Sequence, residues 1–186
     1  TAHAIGDEAV RAVVEAYEDL TDPASGRHRI EHVELADDEL IDRIAASDIV
    51  ASVQPNFLKW AGEDGLYAAR LGERRTETNR LPAFLDRGAA LAFGSDCMPL
   101  DPLLGVHHAV NAPAAQQRLD VTEALRAYTS GAAYAGFDEH RLGTVAVGNR
   151  ADLVALEASP WDQPDAIRDI DVALTLVDGE VVYERE

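Results

Sequence analysis

Between Asp7 and Leu20 the apolar residues Val10, Val13, Val14 and Tyr17 fall at i, i+3, i+4 and i+7, which predicts a helix with one buried stripe. Pro23 and Gly26 are expected to end it. Arg29 to Val33 reads as a short extended segment, and Leu40, Ile41 and Ile44 mark a second helix that Asp37 or Asp38 can cap. Ile49 to Val53 is a run rich in β-branched residues, hence a buried strand, stopped by Pro55. Gln54 to Thr78, punctuated by Gly62, Gly65 and Gly72, reads as a long polar loop. Leu81 to Asp86 predicts a helix stopped near Gly88. Ala89 to Phe93 predicts a continuous apolar strand ending at Gly94-Ser95-Asp96.

Strands that alternate with helices are joined in parallel by helical crossovers, so the expected class is α/β. In such folds the active site lies at the carboxyl ends of the strands, and the residues just after each apolar run become the ones to inspect. The texture changes after Val121. Thr122 to Ala135 predicts a helix with Leu125, Tyr128 and Ala132 on one face, and short strands are then expected at Val145 to Val147, Ala151 to Leu156, Val172 to Val177 and Glu180 to Tyr183. Asp178-Gly179 between two β-rich runs is a hairpin signal, so a small β appendage should follow the α/β part.

The 186 residues, 47% apolar and 27% charged, are enough for one packed domain and exclude global disorder. Thirty-four acidic residues against 16 basic ones give a formal charge of −18, which would repel nucleic-acid phosphates and anionic membrane surfaces. Neither is an expected partner. Apolar runs fall short of the roughly 18 residues that span a bilayer, and Thr1 to Asp7 lacks the basic start and apolar core of a signal peptide, which points to the cytoplasm. Cys97 is alone and cannot form an internal disulfide, in keeping with a reducing compartment. Lys59 is the single lysine among the 16 basic residues. Together with acidic pairs such as Asp37-Asp38 and Glu63-Asp64, this scarcity reads as adaptation to high salt, the alternative being a merely acidic mesophilic enzyme.

Three groups stand at expected strand ends: His3, His32 and Asp96. Two imidazoles and a carboxylate suit a divalent metal such as Zn²⁺, and a carboxylate beside a metal-bound water can also accept its proton. Singly, each has a plainer explanation, since a lone histidine is commonly packed or on the surface and a Gly-Ser-Asp after a strand is commonly a turn with a cap. His28 is expected at the surface, and His107-His108 on the surface of a helix. Cys97 and Met98 are expected to pack near the metal pocket, and nothing in the sequence marks Cys97 as a nucleophile. A Gly-X-Ser-X-Gly elbow and phosphate-loop or dinucleotide fingerprints are absent from the sequence.

Taken in order, His3-Ala-Ile-Gly-Asp7, Arg29-Ile-Glu-His32, Ala51-Ser-Val-Gln-Pro55, Leu91-Ala-Phe-Gly-Ser-Asp96, Glu123 to Thr129 and Gly143 to Val154 resemble amidohydrolase family 3, the metal-dependent hydrolases related to N-substituted formamide deformylase. The resemblance implies a metal-binding (β/α)₈ TIM barrel carrying a small β domain. It makes His3 the metal histidine after the fifth strand and His32 the one after the sixth. Asp96, after the eighth, becomes both metal ligand and general base. It implies cleavage of a carbon–nitrogen, non-peptide bond in an amide or formamide-like small molecule. A whole barrel takes roughly 250 residues, so the chain is expected to hold only its second half, residues 1–135, with a small β segment over 136–186.

Two departures from the family pattern matter. The sequence has no His-X-His pair, so the family's first-strand metal histidines and its metal-bridging lysine are missing, and Lys59 stands in the long loop. Gln54-Pro-Asn-Phe57 lacks the histidine that many members carry two residues after the proline, and Gln54 and Asn56 become the candidate substrate-side residues. The isolated chain is therefore expected to hold metal weakly and to be inactive alone. Four barrel strands leave two open edges, so a homodimer or association with the missing half is expected. A non-catalytic assembly or binding domain derived from an amidohydrolase is the alternative, and an ester- or phosphoester-cleaving member of the superfamily is a third reading.

Overall fold

The computed structural model describes residues 1–20 and 26–186, so Pro23 lies outside the described residues. Four strands, β1 (Ala2–Ala4), β2 (Arg29–His32), β3 (Val50–Val53) and β4 (Leu91–Phe93), form one parallel sheet in sequential order. In its register Ala4 lies opposite His32, Ala51 opposite Leu91 and Val53 opposite Phe93. Sequential parallel order requires every crossover to lie on the same side. Those crossovers carry α1 (Asp7–Glu18), α2 (Asp38–Ala46), α3 (Leu66–Leu71) and α4 (Leu81–Asp86).

Each helix is written in the sequence as an apolar stripe. Val10 and Val14 of α1, Leu40, Ile41 and Ile44 of α2, and Leu81 and Phe84 of α4 are fully buried against Ile30, Ala51 and Val53. Asp37 caps α2 by accepting a 2.8 Å hydrogen bond from the Leu40 amide. The opposite face of the sheet is polar: Glu31 accepts from Thr1 Oγ1 at 2.7 Å and from Arg29 Nε at 2.8 Å. Burial alone would raise the Glu31 carboxyl, but hydrogen bonds from Ser52, Thr1 and Arg29 overcome it and hold the group below its usual range.

Residues 54–78 depart from the expected polar loop. They form a 3₁₀ turn (Pro55–Trp60), α3 and a second 3₁₀ turn (Gly72–Glu77), anchored by buried Phe57, Leu58 and Tyr67. After β4 come α5 (Pro102–Val110), capped by Asp101, and α6 (Val121–Arg126), which runs through a π turn (Ala127–Gly131) into α7 (Ala132–Ala135). Arg27 ties the start of β2 to the end of this helix. Its guanidinium lies 3.7 Å over the Tyr134 ring and pairs in bidentate fashion with Glu139 at 2.7 and 3.0 Å.

A second, antiparallel sheet follows: β5 (Leu153–Leu156), β6 (Val172–Val177) and β7 (Glu180–Glu184). Asp178 and Gly179, both with positive φ, turn the β6–β7 hairpin. The strand expected at Val145 to Val147 does not form, and Val145 and Val147 are 87% and 108% exposed. β-branched residues favour a strand only where a neighbour supplies the ladder and half-buries them. Ile167, in a 3₁₀ turn between β5 and β6, is fully buried in the main core. Among the described residues no helix is long and apolar enough to cross a membrane.

Candidate active site

The chemistry-bearing side chains gather where β1 to β4 end. His3 lies within β1 and His32 closes β2, and their rings meet edge to face at 4.3 Å between centroids. His32 is 8% exposed, and its Nδ1 is buried without a hydrogen-bond partner. An unpartnered buried ring nitrogen is costly unless something binds it. The backbone at this point is unusual: His32 has φ +79° and the β-branched Val33 φ +47°. Each such residue costs roughly 1–3 kcal/mol, and this kind of strain collects at functional sites.

Around the histidines stands an aromatic wall. His32 is parallel to Phe57 at 6.0 Å, Phe57 lies 5.0 Å from Trp60, and Trp60 meets Tyr67 edge-on at 6.1 Å. Behind the wall the Tyr67 hydroxyl donates to Glu34 Oε2 at 2.5 Å. Burial pushes both groups up, and for Glu34 this outweighs the opposing hydrogen bond and the nearby His32 and His3. Glu34 was not among the residues expected at the site. Its signal was a carboxylate two positions past His32 and directly before an apolar pair, Leu35-Ala36.

Asp96 follows β4 in a loop whose own backbone is left-handed at Asp96 (φ +48°) and Cys97 (φ +58°). The carboxylate is exposed, and Cys97 is exposed too rather than packed near the histidines. Two strands stand between β1 and β4, so Asp96 lies at the far side of the arc from His3. Among the described residues no three or more His, Cys, Asp or Glu side chains converge to hold a metal. The structure thus brings the rings of His3 and His32 together, while Asp96 stands on the loop after β4, three strands along the sheet from β1.

Gln54 and Asn56 occupy the turn after β3. Gln54 is buried, donates to the Ser52 carbonyl at 3.2 Å and leaves Oε1 unpartnered. Asn56 is 0% exposed; it donates to the Pro99 carbonyl at 3.1 Å and accepts from the Tyr128 hydroxyl at 3.4 Å. It thereby fastens the end of β3 to the loop that carries Asp96. His107, expected on a helix surface, is instead buried on α5 with Nδ1 3.3 Å from Asn111, and His108 is half-buried. His28 is likewise half-buried, stacked on Tyr17 at 4.6 Å. The signal missed was that α5 is apolar on nearly every side, which marks a helix covered all round. A cleft of about 590 Å³ lies elsewhere, between α7 and β5, and is lined mainly by small and apolar residues such as Ala132, Ala133 and Val154.

A parallel four-stranded sheet backed by helices, with two histidines meeting near its carboxyl edge, defines an α/β protein. The sequence model of the amidohydrolase family matches residues 1–183, and the chain belongs to that family. It is 34% identical to the Bacillus subtilis protein YtcJ over 98% of this chain and 37% of that protein. It is 28% identical to the N-substituted formamide deformylase of Arthrobacter pascens, over 98% of this chain and 36% of that one. The crystal structure of an uncharacterized metal-dependent hydrolase from Pyrococcus furiosus superposes with a TM-score of 0.74 at 34% identity, covering 86% of this chain and 34% of that chain. This chain therefore spans about a third of the length of these relatives, as the second half of a (β/α)₈ barrel followed by a small β sheet.

Proposed function

We propose that this chain carries part of the active centre of a metal-dependent amidohydrolase that cleaves a carbon–nitrogen, non-peptide bond in an amide or formamide-like small molecule. The observation that supports it best is the His3–His32 pair: two imidazoles 4.3 Å apart at the ends of adjacent parallel strands, one with a buried nitrogen that no protein group satisfies. This donor set fits a borderline divalent cation, Zn²⁺ first, and is incomplete on its own. His3 and His32 would hold the cation, with Asp96 completing its donors from the other side of the arc. When bound, such a cation lowers the pKa of water and polarises the amide carbonyl.

The remaining work belongs to the chain's own groups. Asp96, exposed and held by a left-handed turn, takes the proton of the attacking water and delivers it to the departing amine. Gln54 and Asn56, in the turn after β3, are the substrate-side candidates. Phe57 and Trp60 exclude water from one side of the site. Residues 1–135 form the barrel part and 136–186 the β segment. A salt-rich, reducing cytoplasm fits the acidic surface and the single exposed thiol.

Titration of the chain with Zn²⁺, followed through the histidine ring protons by NMR, tests the reading. The His3 and His32 signals should shift together, with weak affinity, and His32→Ala should abolish the response of His3. Zn²⁺ that leaves both rings unmoved would overturn it. The chain alone should show negligible amide hydrolysis, because the first-strand ligands are absent; robust turnover would refute that dependence.

A further inference from the structure

We propose that Glu34 is a positioning residue: its carboxylate, pinned by Tyr67, sets the tautomer of the His32 ring and thereby which nitrogen that ring offers to a cation. The inference rests on the amidohydrolase reading for what the histidines hold, whereas the interaction itself lies within this chain.

Glu34 is 6% exposed, and a carboxylate buried without a cationic partner is costly. Glu31 is met by Arg29 at 2.8 Å, but among the described residues no arginine or lysine pairs with Glu34. The residue is nonetheless fixed at both ends. Its backbone carbonyl accepts from the Asn79 amide at 2.8 Å, and the next residue, Leu35, bridges to Thr78, whose own carbonyl accepts from Gln117 Nε2 at 2.8 Å. On the side chain, Oε2 accepts from the Tyr67 hydroxyl, and the Tyr67 ring is set edge-on against Trp60.

The charged groups that bear on this anchored carboxyl are His32 and His3. His32 stands two residues before it, and the left-handed backbone at His32 and Val33 turns the chain between them. Contacts with the His3 and Phe57 rings fix the plane of the His32 imidazole without distinguishing its two nitrogens. Nor does a hydrogen bond to Nδ1 do so, since that atom is buried and unpartnered. A fixed anion does distinguish them, because a neutral imidazole is more stable with its N–H turned toward the negative charge and its lone pair turned away. Inside the protein this field is weakened little by solvent or salt. Outer carboxylates act on metal-binding histidines in the same sense, fixing the tautomer and raising the basicity of the ligating nitrogen.

Ring ¹⁵N shifts of the metal-free chain at about pH 8.5, well above the ordinary imidazole value of about 6.5, report the tautomer of each histidine. His32→Ala assigns the His32 signals by removing them. His32 should hold one tautomer in the parent chain and a mixture in Glu34→Gln, which keeps the shape and can still accept from Tyr67 but lacks the charge. A merely structural Glu34 would be replaced by glutamine with no change of tautomer. Where the cation binds, Glu34→Gln should also weaken Zn²⁺ about tenfold, the loss usual for an outer partner of a metal histidine. An unchanged His32 tautomer, or an unchanged affinity in a chain that binds Zn²⁺, would overturn the assignment. Should Glu34→Gln fail to fold, Tyr67→Phe keeps the charge but releases it, and an unchanged tautomer there overturns the assignment equally. The tautomer is read without metal or turnover, so rings that ignore Zn²⁺ would sink the amidohydrolase reading while the role of Glu34 stood or fell on its own result.

Discussion

Gly131 presses directly on the backbone carbonyl of Leu91 in β4, so closely that no Cβ fits between the π turn and the strand. Alanine is ordinarily about 1 kcal/mol better than glycine inside a helix. Here the added methyl must push the helix off the sheet, and Gly131→Ala should destabilise the fold by about 2 kcal/mol, the usual cost of overpacking. Urea denaturation decides the sign. A midpoint that rises would show that the helix has room to spare.

Asn56 clamps the turn after β3 to the loop after β4 through the Pro99 carbonyl. Asn56→Ala should cost about 1–3 kcal/mol, because it removes two hydrogen bonds made by a side chain that is fully buried. It should also loosen the segment that carries Asp96. A ¹⁹F tag on Cys97, the only thiol and an exposed one, reports this directly: its line should narrow in the variant. An unchanged line width with unchanged stability would deny Asn56 its clamping role.

Burial, with His107, Arg168 and Lys59 nearby, pushes the His108 imidazole down to about 4. In the unfolded chain the same group titrates near 6.5. Between these values the unfolded state binds a proton that the native state does not, so this contribution to stability is complete above about pH 6.5 and is lost as the pH falls toward 4. His108→Gln should remove up to about one proton from the pH dependence of unfolding across that window. An identical slope in both proteins would show that His108 is not the group responsible.

A net charge of −18 makes the folded chain repel itself. Salt shortens the screening length from about 10 Å at 0.1 M to about 3 Å at 1 M. The melting temperature should rise between roughly 0.1 M and 2 M KCl if the acidic surface is an adaptation to salt. A flat or falling trend would leave the composition merely acidic.

β1 and β4 are the two edges of the parallel sheet, each with one unpaired side. Open edges recruit further strands. Sedimentation at about 2 M salt and micromolar concentration should therefore show a homodimer, or a tight complex once the rest of the barrel is supplied. A clean monomer would mean that the edges are blunted within the chain.

The main elements were legible because their apolar spacing is dictated by burial on one side: Val10 and Val14, or Leu40, Ile41 and Ile44, can point inward only from a helix. Residues 54–78 were not legible, since three short turns of helix are too brief to show a period and their few anchors, Phe57, Leu58 and Tyr67, are diluted by exposed charge. Val145 to Val147 misled for the opposite reason, having local preference without a partner strand. His3 and His32 could be singled out by their place at strand ends, whereas the Glu34–Tyr67 bond joins residues 33 apart and exists only once the chain has folded. Nothing local in the sequence announces such a pair.

Arg27 joins the Tyr134 carbonyl and Glu139, partners 107 and 112 residues further along the chain. Contacts of that separation cannot form until the intervening strands and helices have assembled, because closing so long a loop early costs entropy that nothing yet repays. The Arg27 cluster is therefore expected to close late in folding, as a latch on structure already assembled. Its strength sets how long the native chain survives rather than how quickly it is reached, and Arg27→Ala should accelerate unfolding while leaving the refolding rate almost untouched.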